Sequence, residues 1–373
     1  VITGIRRSGK STLLKQLSVH FDDFHYLNFD DERLISFTVD DFQDLLILFH
    51  KRSLSKNLFF DEIQNVEKWE RFIRRVHDLG YKIFITGSNA RMLSTELTTH
   101  LTGRYSRIEL FPFFFSELAE YSNINYNELT TQNIAIILKA FDDYLSEGGF
   151  PEYIKTKDTE SLQNVYEDIL YRDIIARYGI KEIKNIRLTA NYLMTNLAKE
   201  FSYQSIANIL GIKSATTIKN YVTFMESVYL LTEIFRYDNS LKKQYVSNKK
   251  IYCIDSGLRN RVAFKNSGDK GRLLENAVFL ELKRRQKDIY YYREKNECDF
   301  VVEKNGVITS LIQVCYNLTQ ENKEREFKGL LEAAKILNPE EMLVITMDKE
   351  EFVNYSDTQI RVIPVWKWML KIE

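Results

Sequence analysis

Short apolar runs punctuate the first third of the chain, with helical patterns between them. Val1-Ile2-Thr3 ends a strand at Gly4, and Leu13, Leu14 and Leu17 then fall at helical spacing. His25-Tyr26-Leu27-Asn28-Phe29-Asp30 predicts a second strand that runs into the acids Asp31 and Glu32. Residues 42–49 read as a helix, and Asn57-Leu58-Phe59-Phe60-Asp61-Glu62 as a buried strand stopping on two carboxylates. Residues 81–86 and 105–110 complete a set of five strands. From 116 to about 184 the pattern is helical, broken at Gly148-Gly149-Phe150-Pro151. Three helices are then predicted over 186–200, 202–210 and 214–227, followed by a hairpin pairing 229–236 with 250–254. The last third predicts a helix from Arg272, strands over 289–292, 297–302 and 310–315, a helix over 323–336, and strands over 342–346 and 360–364.

Composition narrows the class. A length of 373 residues exceeds one typical core and suggests about two to three domains. Lys+Arg and Asp+Glu both number 52, so any nucleic-acid site must be a local patch rather than the whole surface. Cys253, Cys298 and Cys315 form no C-x-x-C pair, which argues against a disulfide scaffold or a zinc site. No apolar run approaches the length of a membrane span. The chain opens on Val1 within a strand, so the expectation is that a further N-terminal segment precedes it; the expected location is cytoplasmic.

The stretch Gly4-Ile5-Arg6-Arg7-Ser8-Gly9-Lys10-Ser11 then Thr12 fits G-x-x-x-x-G-K-[ST] between a strand and a helix. Glycines let backbone amides wrap an anion, and the helix N-terminus adds its positive dipole end. Residues 4–12 are therefore candidates for nucleotide binding, with Lys10 reaching the β- and γ-phosphates and Ser11 binding Mg²⁺. Asp61 is the second metal candidate, and Glu62 the candidate that polarises the attacking water. A polar side chain at the end of the fourth strand would sit between these acids and the γ-phosphate; Ser88 and Asn89 both qualify. Arg104 is a candidate finger on the transferred phosphoryl group, or a surface arginine paired with an acid.

The strings GIRRSGKST, LFFDEIQNV, FITGSNA and LTGRYSRIELFPF, in this order, with YLSEGGFPEY downstream, resemble the prokaryotic AAA-type ATPases that carry a C-terminal domain of unknown function. The resemblance implies an α/β fold: a P-loop parallel sheet of five strands with helices on both faces, and ATP with Mg²⁺ at the strands' carboxyl ends. It also implies a helical lid after the sheet. Paired arginines such as Arg6 and Arg7 are typical of the family; their expected contacts are a neighbouring subunit or an acid such as Asp30.

Residues 203–221 read as a helix-turn-helix and the hairpin after it as a wing. Lys242, Lys243, Lys249 and Lys250 make a basic patch without an acid between 239 and 250. With Lys219, they are the candidate DNA contacts; a winged domain used for protein contacts is the equal alternative. The element order of the last third resembles the restriction-endonuclease and archaeal Holliday-junction-resolvase fold, with Glu275 and Asp299 as its acids. Where active members carry an acid and a lysine two apart, this chain has Gln313-Val314-Cys315. Gln313 keeps a carbonyl that a metal could use, whereas Cys315 has no fixed positive charge. The expectation is a degenerate nuclease-like α/β domain with hydrolysis lost. The expected domains are thus 1–115, 116–184, 185–262 and 263–373. The function they imply is an ATPase coupled to a C-terminal module acting on DNA, with a homo-oligomer as a further expectation. The alternatives are a nucleotide-gated interaction scaffold and an ATP-dependent nuclease.

Overall fold

The computed structural model describes residues 1–89, 105–263, 270–355 and 358–372. The chain packs as two compact units that cut across the four expected stretches. Val1–Pro112, Glu167–Ile180 and Thr223–Leu230 form the first; Phe113–Tyr166, Lys181–Val222 and Leu231–Glu373 form the second.

The first unit is built on strands β1 (Ile2–Thr3), β2 (His25–Asn28), β3 (Asn57–Asp61), β4 (Lys82–Gly87) and β5 (Ile108–Glu109), with helices α1 (Lys10–Ser18), α2 (Phe42–Arg52) and α3 (Trp69–Asp78). The strands form one sheet in the order β2-β3-β4-β1-β5, and every neighbouring pair is parallel. β3 explains the layering. Leu58 and Phe60 point into a cluster with Phe42, Trp69 and Phe72, whereas Phe59 points the other way, towards Leu14, Phe21 and Phe84. A strand covered on both faces reads as an unbroken apolar run, which is what Leu58-Phe59-Phe60 is. Each fully buried phenylalanine contributes about 1.5–3 kcal/mol. Because β3, β4 and β1 are neighbours, the glycine loop after β1 and the acids after β3 emerge at the same edge.

The second unit opens with helices Phe115–Tyr121, Thr131–Glu147 and Pro151–Thr156. The break between the last two is held by a buried carboxylate: Asp255 accepts from Gly149 N at 2.6 Å and from Leu258 N at 2.8 Å, capping helix Ser256–Val262. A Cβ on Gly149 would lie 2.0 Å from Phe113 O, so no larger residue fits there. Helices Ile183–Thr195, Tyr203–Leu210 and Ala215–Ser227 follow, the last assigned to the first unit from Thr223 on, with Gly211 in the left-handed conformation at the turn (φ 67°). Strands β6 (Leu231–Phe235) and β7 (Lys249–Cys253) pair antiparallel, and the chain between them contains a short helix, Leu241–Val246, that the sequence pattern does not predict.

The remaining strands are β8 (Asp288–Arg293), β9 (Glu297–Lys304), β10 (Val307–Cys315), β11 (Glu341–Thr346), β12 (Glu351–Tyr355) and β13 (Thr358–Pro364). They form a six-stranded sheet in the order β12-β13-β11-β10-β9-β8, with β10–β11 and β11–β13 parallel and the other pairs antiparallel. Leu311, Val344 and Val362 on one face pack with Phe327 and Leu330 of helix Gln320–Leu337. Phe300 packs with Phe279 of helix Lys270–Arg284 and with Tyr252 of β7. Among the described residues, no helix is long and apolar enough to cross a membrane.

Candidate nucleotide site and carboxylate cluster

The loop after β1 is shaped for close backbone approach. Gly4 has φ 142°, and a Cβ there would lie 2.1 Å from Leu110 O. Arg7 and Gly9 also take positive φ, 61° and 99°. Gly9 caps α1 without a side-chain hydrogen bond, and the first turn of α1 carries no acid. The leading amides of Lys10, Ser11 and Thr12 thus have no side-chain cap, the condition for an anion site at a helix start. Ser8 is buried, and its hydroxyl has no hydrogen-bond partner among the described residues. These features fit a polyphosphate.

Lys10 is 3% exposed. Its Nζ donates to Ile5 O at 2.9 Å and lies 3.7 Å from Glu62 Oε1. Burial lowers its pKa, with Glu62 opposing the shift. Asp61 is fixed on both oxygens: Tyr26 Oη donates to Oδ2 at 2.9 Å and Thr86 Oγ1 donates to Oδ1. The same Thr86 oxygen accepts from Glu62 N at 2.9 Å. Glu62 has φ 50°, a left-handed conformation uncommon for a non-glycine residue, and Gln64 Nε2 donates to its carboxylate. Strain of this kind is often held at functional sites. Ser11 and Asp61 are the side chains that could hold Mg²⁺; each Asp61 oxygen accepts one hydrogen bond and keeps a second lone pair.

The candidate residues divide clearly. Lys10, Asp61 and Glu62 converge. Ser88 and Asn89 follow β4 and are buried, but Thr86, two residues earlier, is the side chain that touches both acids. Thr86, Tyr26 and Gln64 belong to no candidate set in the sequence; with β2, β3 and β4 adjacent, a polar residue late in a neighbouring strand is the available signal. Arg104 lies outside the described residues.

Arg6 and Arg7 do not go to Asp30. Arg6 grips Asp173 through two bonds, Nε–Oδ2 at 2.9 Å and Nη2–Oδ1 at 3.0 Å, and Arg7 lies 3.8 Å from Asp168. Asp30 is instead 3.5 Å from Arg172. Asp173 and Arg172 belong to a π-helical stretch, Ile169–Ala176. The hydrogen bonds that Arg6 donates to Asp173 raise its pKa further.

In the second unit the expected basic patch is corrected. Lys219, Lys242 and Lys243 are exposed, with Lys243 3.7 Å from Asp238. Lys249 and Lys250 are buried in β7 and present no ammonium to a polyanion. Lys249 Nζ donates to Tyr245 O at 3.0 Å and Ser247 O at 2.9 Å, tying down the end of helix Leu241–Val246. Lys250 Nζ lies 3.0 Å from Glu275 Oε1, 2.6 Å from Glu297 Oε1 and 3.1 Å from Asp299 Oδ1. Burial and the charge of Glu275 push the carboxyl pKa of Asp299 up, and the Lys250 ammonium opposes the rise. Gln313 Oε1 accepts from Asp299 N at 3.4 Å, and its Nε2 donates to Glu326 Oε2 at 3.1 Å. Burial pushes the Cys315 thiol up to about 11, so it stays neutral.

Comparison with known proteins divides the chain into three consecutive stretches. Residues 1–119 match the family model described as an AAA domain. Residues 138–269 and 270–368 match two domains of unknown function, DUF8612 and DUF4143. The uncharacterized protein MJ1544 of Methanocaldococcus jannaschii is 40% identical over 393 residues, covering 99% of this chain and 88% of that protein. An uncharacterized protein of Haemophilus influenzae is 30% identical over 344 residues, covering 87% of this chain and 84% of that protein. Among solved structures, a Walker-type ATPase of Pyrococcus abyssi aligns at 15% identity with a TM-score of 0.42, covering 70% of this chain and 89% of that one. The chain belongs to the family of these archaeal and bacterial relatives, P-loop AAA-domain proteins with a C-terminal domain of unknown function.

Proposed function

We propose that the first unit binds ATP with Mg²⁺ and hydrolyses it, and that the nucleotide state governs what the second unit does. The observation that carries this reading is the convergence of a buried Lys10 and Glu62, 3.7 Å apart, at the end of a strand whose Asp61 is held by Tyr26 and Thr86. Backbone amides from Gly4 to Ser11 would hold the phosphates, with Thr12 extending the helix start. Lys10 would exchange the Ile5 carbonyl for a phosphate oxygen, which makes better use of a desolvated ammonium. Ser11 and Asp61 would hold Mg²⁺, whose charge would offset that of the phosphates when it is bound. Glu62 would take up the attacking water once Lys10 and Gln64 release it. Calorimetric titration of ATP with Mg²⁺ into wild type and Lys10→Ala tests this: binding to the first and not the second is expected, and no heat with wild type would end the reading.

A second reading is favoured by the engagement of Glu62 with both Gln64 and Lys10. It is a nucleotide-gated scaffold that signals by its bound state and turns over slowly. Single-turnover rates with and without a protein partner separate the two. For the second unit we propose DNA contact through Lys219, Lys242 and Lys243. It is supported by their exposure and by the exposed Leu241, Tyr245 and Val246 beside them on the short helix.

A further inference from the structure

The interior of the second unit contains a carboxylate cluster whose centre is an amine. Glu275 comes from helix Lys270–Arg284, and Glu297 and Asp299 come from β9. Carboxylates converging from a helix and a strand are the usual oxygen set for a divalent ion. Here the point of convergence is Lys250 Nζ, 1% exposed and within 3.1 Å of all three. An ammonium has three N–H donors, and this one has three carboxylates to receive them. The surrounding groups fit the same arrangement. Tyr252 Oη donates to Glu275 Oε1 at 2.8 Å, Val314 N to Asp299 Oδ2 at 3.0 Å, and Arg293 Nη1 to Glu297 Oε2 at 2.5 Å.

Two facts make the lysine a resident rather than a visitor. It lies within β7, whose backbone pairs with β6 through the register Ile234–Lys250, so its Cα cannot withdraw without breaking the ladder. Its side chain also passes Tyr291, whose ring centroid is 5.7 Å from Nζ. A dication entering beside it would meet a like charge a few ångströms away in a desolvated site, a repulsion of several kcal/mol even at an effective dielectric of about 20.

We propose that the Lys250 ammonium fills the place a divalent cation would take among Glu275, Glu297 and Asp299, in keeping with the lack of any metal-holding group among the described residues, so that the second unit holds no catalytic metal and cleaves no phosphodiester. The lysine thereby does more than the Cys315 replacement alone: it takes up the carboxylates that a metal would need. It also ties the β6–β7 hairpin to the C-terminal sheet. The inference stands whether or not the first unit hydrolyses ATP.

The test is Mn²⁺ uptake by the full, nucleotide-free chain, followed by electron paramagnetic resonance. Wild type and Asp299→Asn should take up Mn²⁺ alike. Lys250→Met should gain a Mn²⁺ site, and Asp299→Asn in that background should remove it. A Mn²⁺ site in wild type that Asp299→Asn removes would overturn the proposal. So would a folded Lys250→Met that gains none, or Mg²⁺-dependent DNA cleavage by wild type that Asp299→Asn abolishes. Should Lys250→Met fail to fold, the wild-type comparison still decides, and Glu275→Gln replaces Asp299→Asn where that variant is unstable.

Discussion

Arg6, inside the glycine loop, is locked to Asp173 by two hydrogen bonds of 2.9 and 3.0 Å, across 167 residues of sequence. The loop that would cradle phosphate is thus anchored to a π-helical stretch, an irregularity often found at functional sites. The arginine that could swing towards an added phosphate already has a carboxylate partner. Asp173 is 4% exposed at its side chain, so its removal leaves a guanidinium largely without compensation. Asp173→Ala should cost about 3 kcal/mol, the low end for breaking a buried ion pair. Denaturant unfolding of the two proteins measures it, and a loss within error of zero would mean the pair is ornamental.

Thr86 makes a different prediction, because its one oxygen orders both acids. Thr86→Val keeps the shape and removes the hydroxyl, freeing Asp61 Oδ1 and the Glu62 amide. ATP affinity should change little, since Thr86 is not in the phosphate loop. Turnover should fall by about tenfold or more, the effect of losing about 1.4 kcal/mol of positioning. Matched binding and turnover measurements read this split, and an equal loss in both would assign Thr86 to the phosphate pocket instead.

Asp255 supplies a pH signature. Burial raises its folded-state pKa from 3.8 to about 6, against the pull of the backbone amides of Gly149, Leu258 and Gly257. A raised carboxyl pKa means that the folded state holds the proton more tightly than the unfolded chain. Stability from this group is therefore present at low pH and lost as pH rises from about 4 to about 6, by an amount on the order of 3 kcal/mol. The comparison is wild type against Asp255→Asn, which does not titrate. Their difference in unfolding free energy should shift in favour of Asn across this window, and a flat difference would show that Asp255 is ionised throughout.

The glycine loop and the Asp61–Glu62 pair were legible because each is contiguous: residues a few positions apart report one site. Thr86 and Tyr26 were not, since their closeness to Asp61 depends on the strand order β2-β3-β4, which no local pattern encodes. Lys249 and Lys250 were misassigned for a related reason. Lysine is almost never buried unless paired, and their partners, the Tyr245 carbonyl and three carboxylates, become visible only once β7 is placed. Residues 241–246 give no helical signal because fewer than two turns are too short for a periodicity to register. β5 is likewise two residues long where the sequence suggests six.

Removing Lys249 and Lys250 from the proposed DNA surface leaves a sharper expectation for the remaining lysines. If Lys242 and Lys243 each contact a phosphate, changing both to Ser should make the slope of log K against log salt shallower by about 2. Binding isotherms on duplex DNA at several salt concentrations give the slope. An unchanged value would take the short helix Leu241–Val246 out of any DNA interface.

The central claim is that Lys10, Asp61 and Glu62 form a hydrolytic centre, and phosphate release from ATP with Mg²⁺ tests it most directly. Wild type should turn over, Lys10→Ala should not, and Glu62→Gln should be slower than wild type by about 10²-fold or more while still retaining nucleotide. Equal rates of release from all three proteins would contradict it.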